Sequence, residues 1–181
     1  MKRYIVLIRG INVGGKNKLP MAELKTCLEK LGYTEVRTYI ASGNVILSSD
    51  KSAADVKTEI EATLPESFTL DSKLIKVLVL TRDQLQAVID QKPKGFGEQP
   101  ARYHSDVVFL IDIDAAAAMT VFRPREGVDQ VWPGAGVIYS QRLSAERTRS
   151  RLSVIVGTPV YASMTIRTWN TTTKLLELLA G

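Results

Sequence analysis

The first eighty residues alternate strand-length apolar runs with segments of helical period, and their order constrains the fold more than any other feature. Residues 4–8 (YIVLI) form a continuous apolar run. Residues 20–31 follow with Met21, Leu24, Cys27, Leu28 and Leu31 at helical spacing, opened by Pro20 and stopped by Gly32. Strands are expected at 36–40 and 45–48, joined through Ser42-Gly43-Asn44, a tight-turn composition. Ser52 with Asp55 reads as a helix cap before the stripe Val56, Ile60 and Leu64, and 74–80 is again apolar. The order β-α-β-β-α-β is that of a split-βαβ, ferredoxin-like unit.

The remainder repeats much of this order. Thr81 and Gln84 form a capping box for a linking helix with Leu85, Val88 and Ile89 inward. Residues 92–104 hold two Pro and two Gly and read as a long loop between halves. A strand at 107–111, a helix capped by Asp114 and running to 122, and a hairpin of 128–132 with 137–139 come next. A helix is expected at 144–156, ended by Gly157, and another at 169–180. The expected class is α/β (α+β): two ferredoxin-like split-βαβ halves, 1–92 and 93–181, with mainly antiparallel sheets plus an extra C-terminal helix.

Composition narrows the function classes. No apolar run approaches 18 residues and no signal-peptide layout is present, so the expectation is a cytoplasmic protein with no membrane partner. The single cysteine cannot close an internal disulfide, and its position on the apolar face of a helix suits a structural role better than a nucleophilic one. The net charge is +5, with eight Lys/Arg against three Glu over residues 1–37 and four Arg against one Glu over 142–151. Clustered cations favour anionic partners.

Two stretches carry the chemistry. In "RGINVGGKNKLP", residues 9–20, Gly10, Gly15 and Lys16 match all but the last letter of the Walker pattern. Asn17 replaces the hydroxyl that binds magnesium, and Pro20 starts the helix too late for its N–H groups to face a phosphate. The strand 107–111 ending in Asp112 resembles a Walker B strand, a weak match, and the β-α-β-β order conflicts with the parallel sheet of nucleotide hydrolases. The reading that fits the spacing best is a glycine loop holding an anion beside Arg9, Lys16 and Lys18 without hydrolysing it.

The second stretch is "TIRTWNTTTKLLELL". Trp169, Thr172, Leu175, Leu176 and Leu179 share one helical face, so Trp169 is expected to pack on the core. Arg167, Asn170, Thr171 and Lys174 share another, at a helix N-terminus whose dipole favours negative charge. They are either a phosphate or carboxylate site, or a capped terminus with solvated cations. Arg147, Arg149 and Arg151 extend the basic surface or are simply solvated.

The blocks "RGINVGGKNKLPMAEL", "RTYIASGNVIL" and "RTWNTTTKL" resemble those of the bacterial domain-of-unknown-function family 1697, in the same order over nearly the whole chain. The resemblance implies two ferredoxin-like halves and no established activity. Its blocks fall on Arg9, Gly10, Asn12, Gly14, Gly15 and Lys16, on Arg37, Tyr39, Ser42, Gly43 and Asn44, and on Arg167, Trp169, Asn170, Thr171 and Lys174. Thr168 departs from the family block, which carries an amide there, and Arg151 replaces a lysine with the charge kept. The blocks are expected to form a basic, polar groove for a phosphorylated metabolite, a nucleotide or a nucleic-acid backbone. Its ligand-binding residues would be Arg9, Asn12, Gly14, Gly15, Lys16, Ser42, Asn44, Arg167, Asn170, Thr171 and Lys174.

Other chemistries find little footing. His104 is the sole histidine, and no Cys/His set has metal-ligand spacing. Asp106, Asp112 and Asp114 could hold a divalent ion, but Asp114 already caps a helix. An RNA-recognition sheet needs exposed aromatics, and Val45-Ile46-Leu47 offers none, so nucleic acid would bind by charge alone. The alternatives to a ligand-binding protein are an enzyme on an anionic small molecule, with Tyr39 or His104 as acid or base, and a protein-interaction domain without catalysis. No particular cofactor is implied, and self-association is left open.

Overall fold

A computed structural model describes residues 1–181. The chain divides into two compact units, Met1–Leu85 with Leu175–Gly181, and Gln86–Lys174. The first unit holds β1 (Lys2–Arg9), α1 (Met21–Lys30), β2 (Thr34–Tyr39), β3 (Asn44–Ser49), α2 (Ala53–Ser67) and β4 (Lys76–Thr81). Its antiparallel sheet runs β2-β3-β1-β4, with Tyr4 opposite Leu47, Val6 opposite Val45 and Arg9 opposite Lys76. Tyr4, Val6, Ile8, Val45 and Leu47 pack on Leu24 and Leu28 of α1 and on Val56, Ile60 and Leu64 of α2. Residues 4–8 are buried on both faces of β1, which explains an unbroken apolar run where a half-exposed strand would alternate.

The local signals behave as their chemistry dictates. Ser52 Oγ accepts from the Asp55 N–H at 3.1 Å and caps α2. Thr81 and Gln84 satisfy one another's N–H groups at 2.9 and 3.2 Å, opening α3 (Arg82–Asp90). Cys27 is half-buried at the rim of α1's inner face, not fully enclosed.

The second unit repeats the topology with β5 (Tyr103–Leu110), α4 (Ala115–Met119), β6 (Asp129–Pro133), β7 (Val137–Leu143) and β8 (Met164–Thr168) in the order β6-β7-β5-β8. Strand β8 is absent from the sequence reading and completes the four-stranded sheet by pairing with β5, Val107 opposite Arg167. Strand β5 starts earlier than expected and takes His104 out of the preceding loop, opposite Arg142.

The helix expected at 144–156 does not form. The segment is a chain of 3-10 turns, Ser144–Arg149, Leu152–Gly157 and Pro159–Ser163. The buried Asp129 carboxylate accepts from Ser150 Oγ at 2.6 Å and from the Arg151 N–H at 2.8 Å. Ser150 is thereby held with extended backbone, ψ 145°, which no α-helix can pass through. The final helix, α5 (Trp169–Ala180), forms as expected.

Candidate functional site

In the first unit the glycine loop is a small hairpin held at its base by two asparagines. Val13 and Lys16 pair across Gly14 (φ 58°) and Gly15 (φ 74°), with the Lys16 N–H donating to the Val13 carbonyl at 3.0 Å. Two successive positive φ values make this a type I′ turn, for which Gly-Gly is a favoured pair. Asn12 donates from Nδ2 to the carbonyls of Leu19 and Ala41, both at 2.9 Å, and accepts from the Leu19 N–H at 2.7 Å. Asn17 is buried and donates to the Gly10 carbonyl at 2.6 Å. Its Oδ1 accepts from the Ser72 N–H at 3.0 Å, and its own N–H donates to Asp71 at 2.6 Å.

These bonds give the loop its chemistry. Both asparagines sit at positive φ (54° and 49°), where Asn is tolerated because its short amide bonds locally. Their amides tie the loop to residue 41 on one side and to residues 71–72 on the other, so three loops form one surface. Asn17 has its amide oxygen committed to Ser72, and α1 begins only at Met21. The arrangement is a braced hairpin and not a phosphate-wrapping Walker loop. Residues 13–16 and Lys18 are exposed, beside the exposed Lys73. Val13, Ile40 and Leu74 are 63%, 50% and 67% exposed, one on each of the three loops.

The other residues singled out in this unit fall around the same loops. Arg9 ends β1 and Ser42 is exposed in the turn before β3. Asn44 is fully buried and donates from Nδ2 to the Tyr39 carbonyl at 3.1 Å, so its amide shapes the turn.

The last block lies in the second unit up to Lys174. Arg167 is buried and donates from one guanidinium nitrogen to Thr165 Oγ1 at 2.8 Å and to the Ile166 carbonyl at 2.9 Å. Burial lowers its pKa to about 10, so the group is still cationic at neutral pH. Thr168 caps α5 through the Thr171 N–H at 3.1 Å, and Thr171 is buried while Asn170 and Lys174 are exposed. Trp169 stands edge-on to Phe96 at 5.2 Å, and its rim of residues with Asn170, Tyr103 and His104 borders a cavity of about 400 Å³.

A group that sequence reasoning treated only piecemeal lies on the opposite face of β5. His104 Nε2 meets the Asp106 carboxylate at 3.0 Å, and Ser140 and Arg142 face them from β7. Burial pushes the Asp106 carboxyl above its ordinary range, against the pull of His104 and Arg142. The legible signal was the alternation of His104, Asp106 and Val108, which puts two polar side chains in phase with a core residue. No set of three His, Cys, Asp or Glu side chains is placed to hold a metal. Asp114 instead caps α4 through the Ala117 N–H at 2.8 Å.

Comparison with known proteins agrees with the fold. The conserved bacterial protein SP0830 from Streptococcus pneumoniae has a TM-score of 0.81 and 27% identity, covering 98% of each chain. No curated protein matches the chain. A family model described as protein of unknown function (DUF1697) matches residues 1–139, through the whole first sheet and into β7. On a match of that extent, the chain belongs to the DUF1697 family.

Proposed function

We propose that the braced hairpin of the first unit binds an anionic, phosphate-bearing ligand. The observation that carries this reading is a contrast within one loop. Its base is fastened by the hydrogen bonds of Asn12 and Asn17, while its tip, residues 13–16, is exposed. A cationic tip that is already ordered binds with little further entropy loss. Lys16 and Lys18 supply charge with Arg9 at the end of β1, and Gly14 and Gly15 let a phosphate approach the backbone. Asn12 and Asn44 act as positioning residues, since their amides are bonded within the unit. The exposed aliphatic tips of Val13, Ile40 and Leu74 favour a ligand that also offers apolar surface, such as a nucleotide base.

A thermal melt against sulfate, sugar phosphates, nucleotides with and without magnesium, and short RNA and DNA tests this. At 100-fold saturation a ligand stabilises by about 2.7 kcal/mol, roughly 5–11 °C for a chain of this size. A shift of that order, lost in Lys16→Ala with Lys18→Ala, supports the site. No shift from any anion sinks it. Salt dependence then separates nucleic acid, with a steep slope, from a small ligand with a shallow one.

A further inference from the structure

The two units share one topology, and they differ where α2 lies in the first. There the sheet face beneath the helix is apolar at Tyr4 opposite Leu47 and Val6 opposite Val45, and turns polar only at its end, Lys2 opposite Ser49. In the second unit the same strand pair, β5 and β7, begins alike with Val108 opposite Ile138. It then turns polar, with Asp106 opposite Ser140 and His104 opposite Arg142. The covering helix is replaced by 3-10 turns, from which Ile155 enters the core while Leu152, Val160 and Tyr161 pack half-buried against it. A cavity of about 200 Å³ is left between sheet and turns, lined by His104, Asp106, Ser140, Arg142, Ser153 and Ile155.

Polar side chains partly covered by these turns lose hydration and add nothing to a core: Ser140 is buried and Asp106 largely so, while His104 keeps 41% of its side-chain surface exposed. A local break in an otherwise consistent pattern marks a functional site more often than an accident. The guanidinium of Arg142 attracts the Asp106 carboxylate from the neighbouring strand. Its neighbour on β6, Asp129, has its carboxylate committed to Ser150 and to the N–H groups of Arg125 and Arg151. Asp106 fixes the orientation of the His104 ring through Nε2, which turns Nδ1 to other partners.

We propose that this cavity binds a small oxyanion, a carboxylate or phosphate group, on Arg142, with His104 forming its wall and Asp106 positioning the ring. The planar fork of Arg142 suits either anion. The Ser140 hydroxyl, 5% exposed, is a further donor. A space of this size holds about seven waters, which limits the ligand to a small molecule. The site stands apart from the hairpin reading and does not depend on it.

His104 is the only histidine, so its ring signals in an imidazole correlation spectrum of the intact protein need no assignment, and because the ring also borders the larger cavity beside Trp169, the Arg142 variants assign a displacement to this one. Titration with inorganic phosphate and, separately, with small mono- and dicarboxylates is expected to displace its ring signals saturably for one class. The apparent Kd should weaken roughly 10- to 100-fold in Arg142→Gln. Arg142→Lys, which keeps the charge and loses the fork, serves if the first variant fails to fold, and should also weaken binding. No saturable displacement by either class overturns the proposal, as does displacement equal in the Arg142 variants or reproduced by chloride.

Discussion

Asn17 reaches back across its loop and donates from Nδ2 to the carbonyl of Gly10 at 2.6 Å, closing the base of the hairpin from within. The same amide receives the Ser72 N–H, so one buried side chain serves two backbone groups. Replacing it with alanine strands both and leaves a residue with a Cβ at φ 49°. Asn17→Ala should cost about 2–4 kcal/mol. Urea unfolding checks this: the midpoint should fall with the slope unchanged. Asn17→Ser, which completes the Walker letters, should also lose stability and gain no magnesium-dependent nucleotide hydrolysis. A midpoint equal to the parent protein's would show that the brace does not hold the loop.

Three glycines at positive φ should respond differently to alanine. At Gly14 a Cβ meets open space, so only the left-handed backbone matters, about 1–2 kcal/mol. At Gly43 it would stand 2.7 Å from the Ile8 carbonyl, held in place because Ile8 and Gly43 are hydrogen-bonded neighbours. Gly43→Ala should therefore cost at least about 3 kcal/mol. At Gly97 the clash is with the Trp169 indole at 2.5 Å, a side chain able to move. Gly97→Ala should fall between the two in stability and change the tryptophan emission, since both tryptophans pack on Phe96. Equal costs at Gly14 and Gly43 would contradict this ranking.

The Lys51–Glu59–Tyr33 cluster predicts a pH dependence. Burial pushes the Glu59 carboxyl up, but hydrogen bonds from Lys51 and Tyr33 outweigh it and hold the group below its ordinary range. A carboxylate lowered in the fold stabilises above its unfolded pKa of about 4.3, and that contribution is lost as pH falls through the folded value. Tyr33 is shifted upward by burial first and then by its bond to Glu59. Its contribution is complete below about pH 10 and is lost as pH rises further. In Glu59→Gln the decline of the urea midpoint below pH 5 should be shallower than in the parent protein. Parallel acid limbs would rule the cluster out as a contributor.

Much of the chain is legible without coordinates. The β-α-β-β-α-β order, the caps at Ser52, Thr81 and Asp114, and the inward stripe of α2 all follow from neighbours within four residues. Such signals are local, so the sequence determined the elements, their caps and the strand faces they bury. What failed was long-range. The helix expected at 144–156 gave way because Asp129, some twenty positions earlier, captures Ser150 and Arg151. Strand β8 exists because β5 had an open edge to fill. Only the tertiary structure decided that Asn12 and Asn17 serve the loop itself, and that His104, Asp106, Ser140 and Arg142 line one cavity. The physical reason is that an amide or a guanidinium acquires its role from whichever partners the folded chain brings within hydrogen-bond reach.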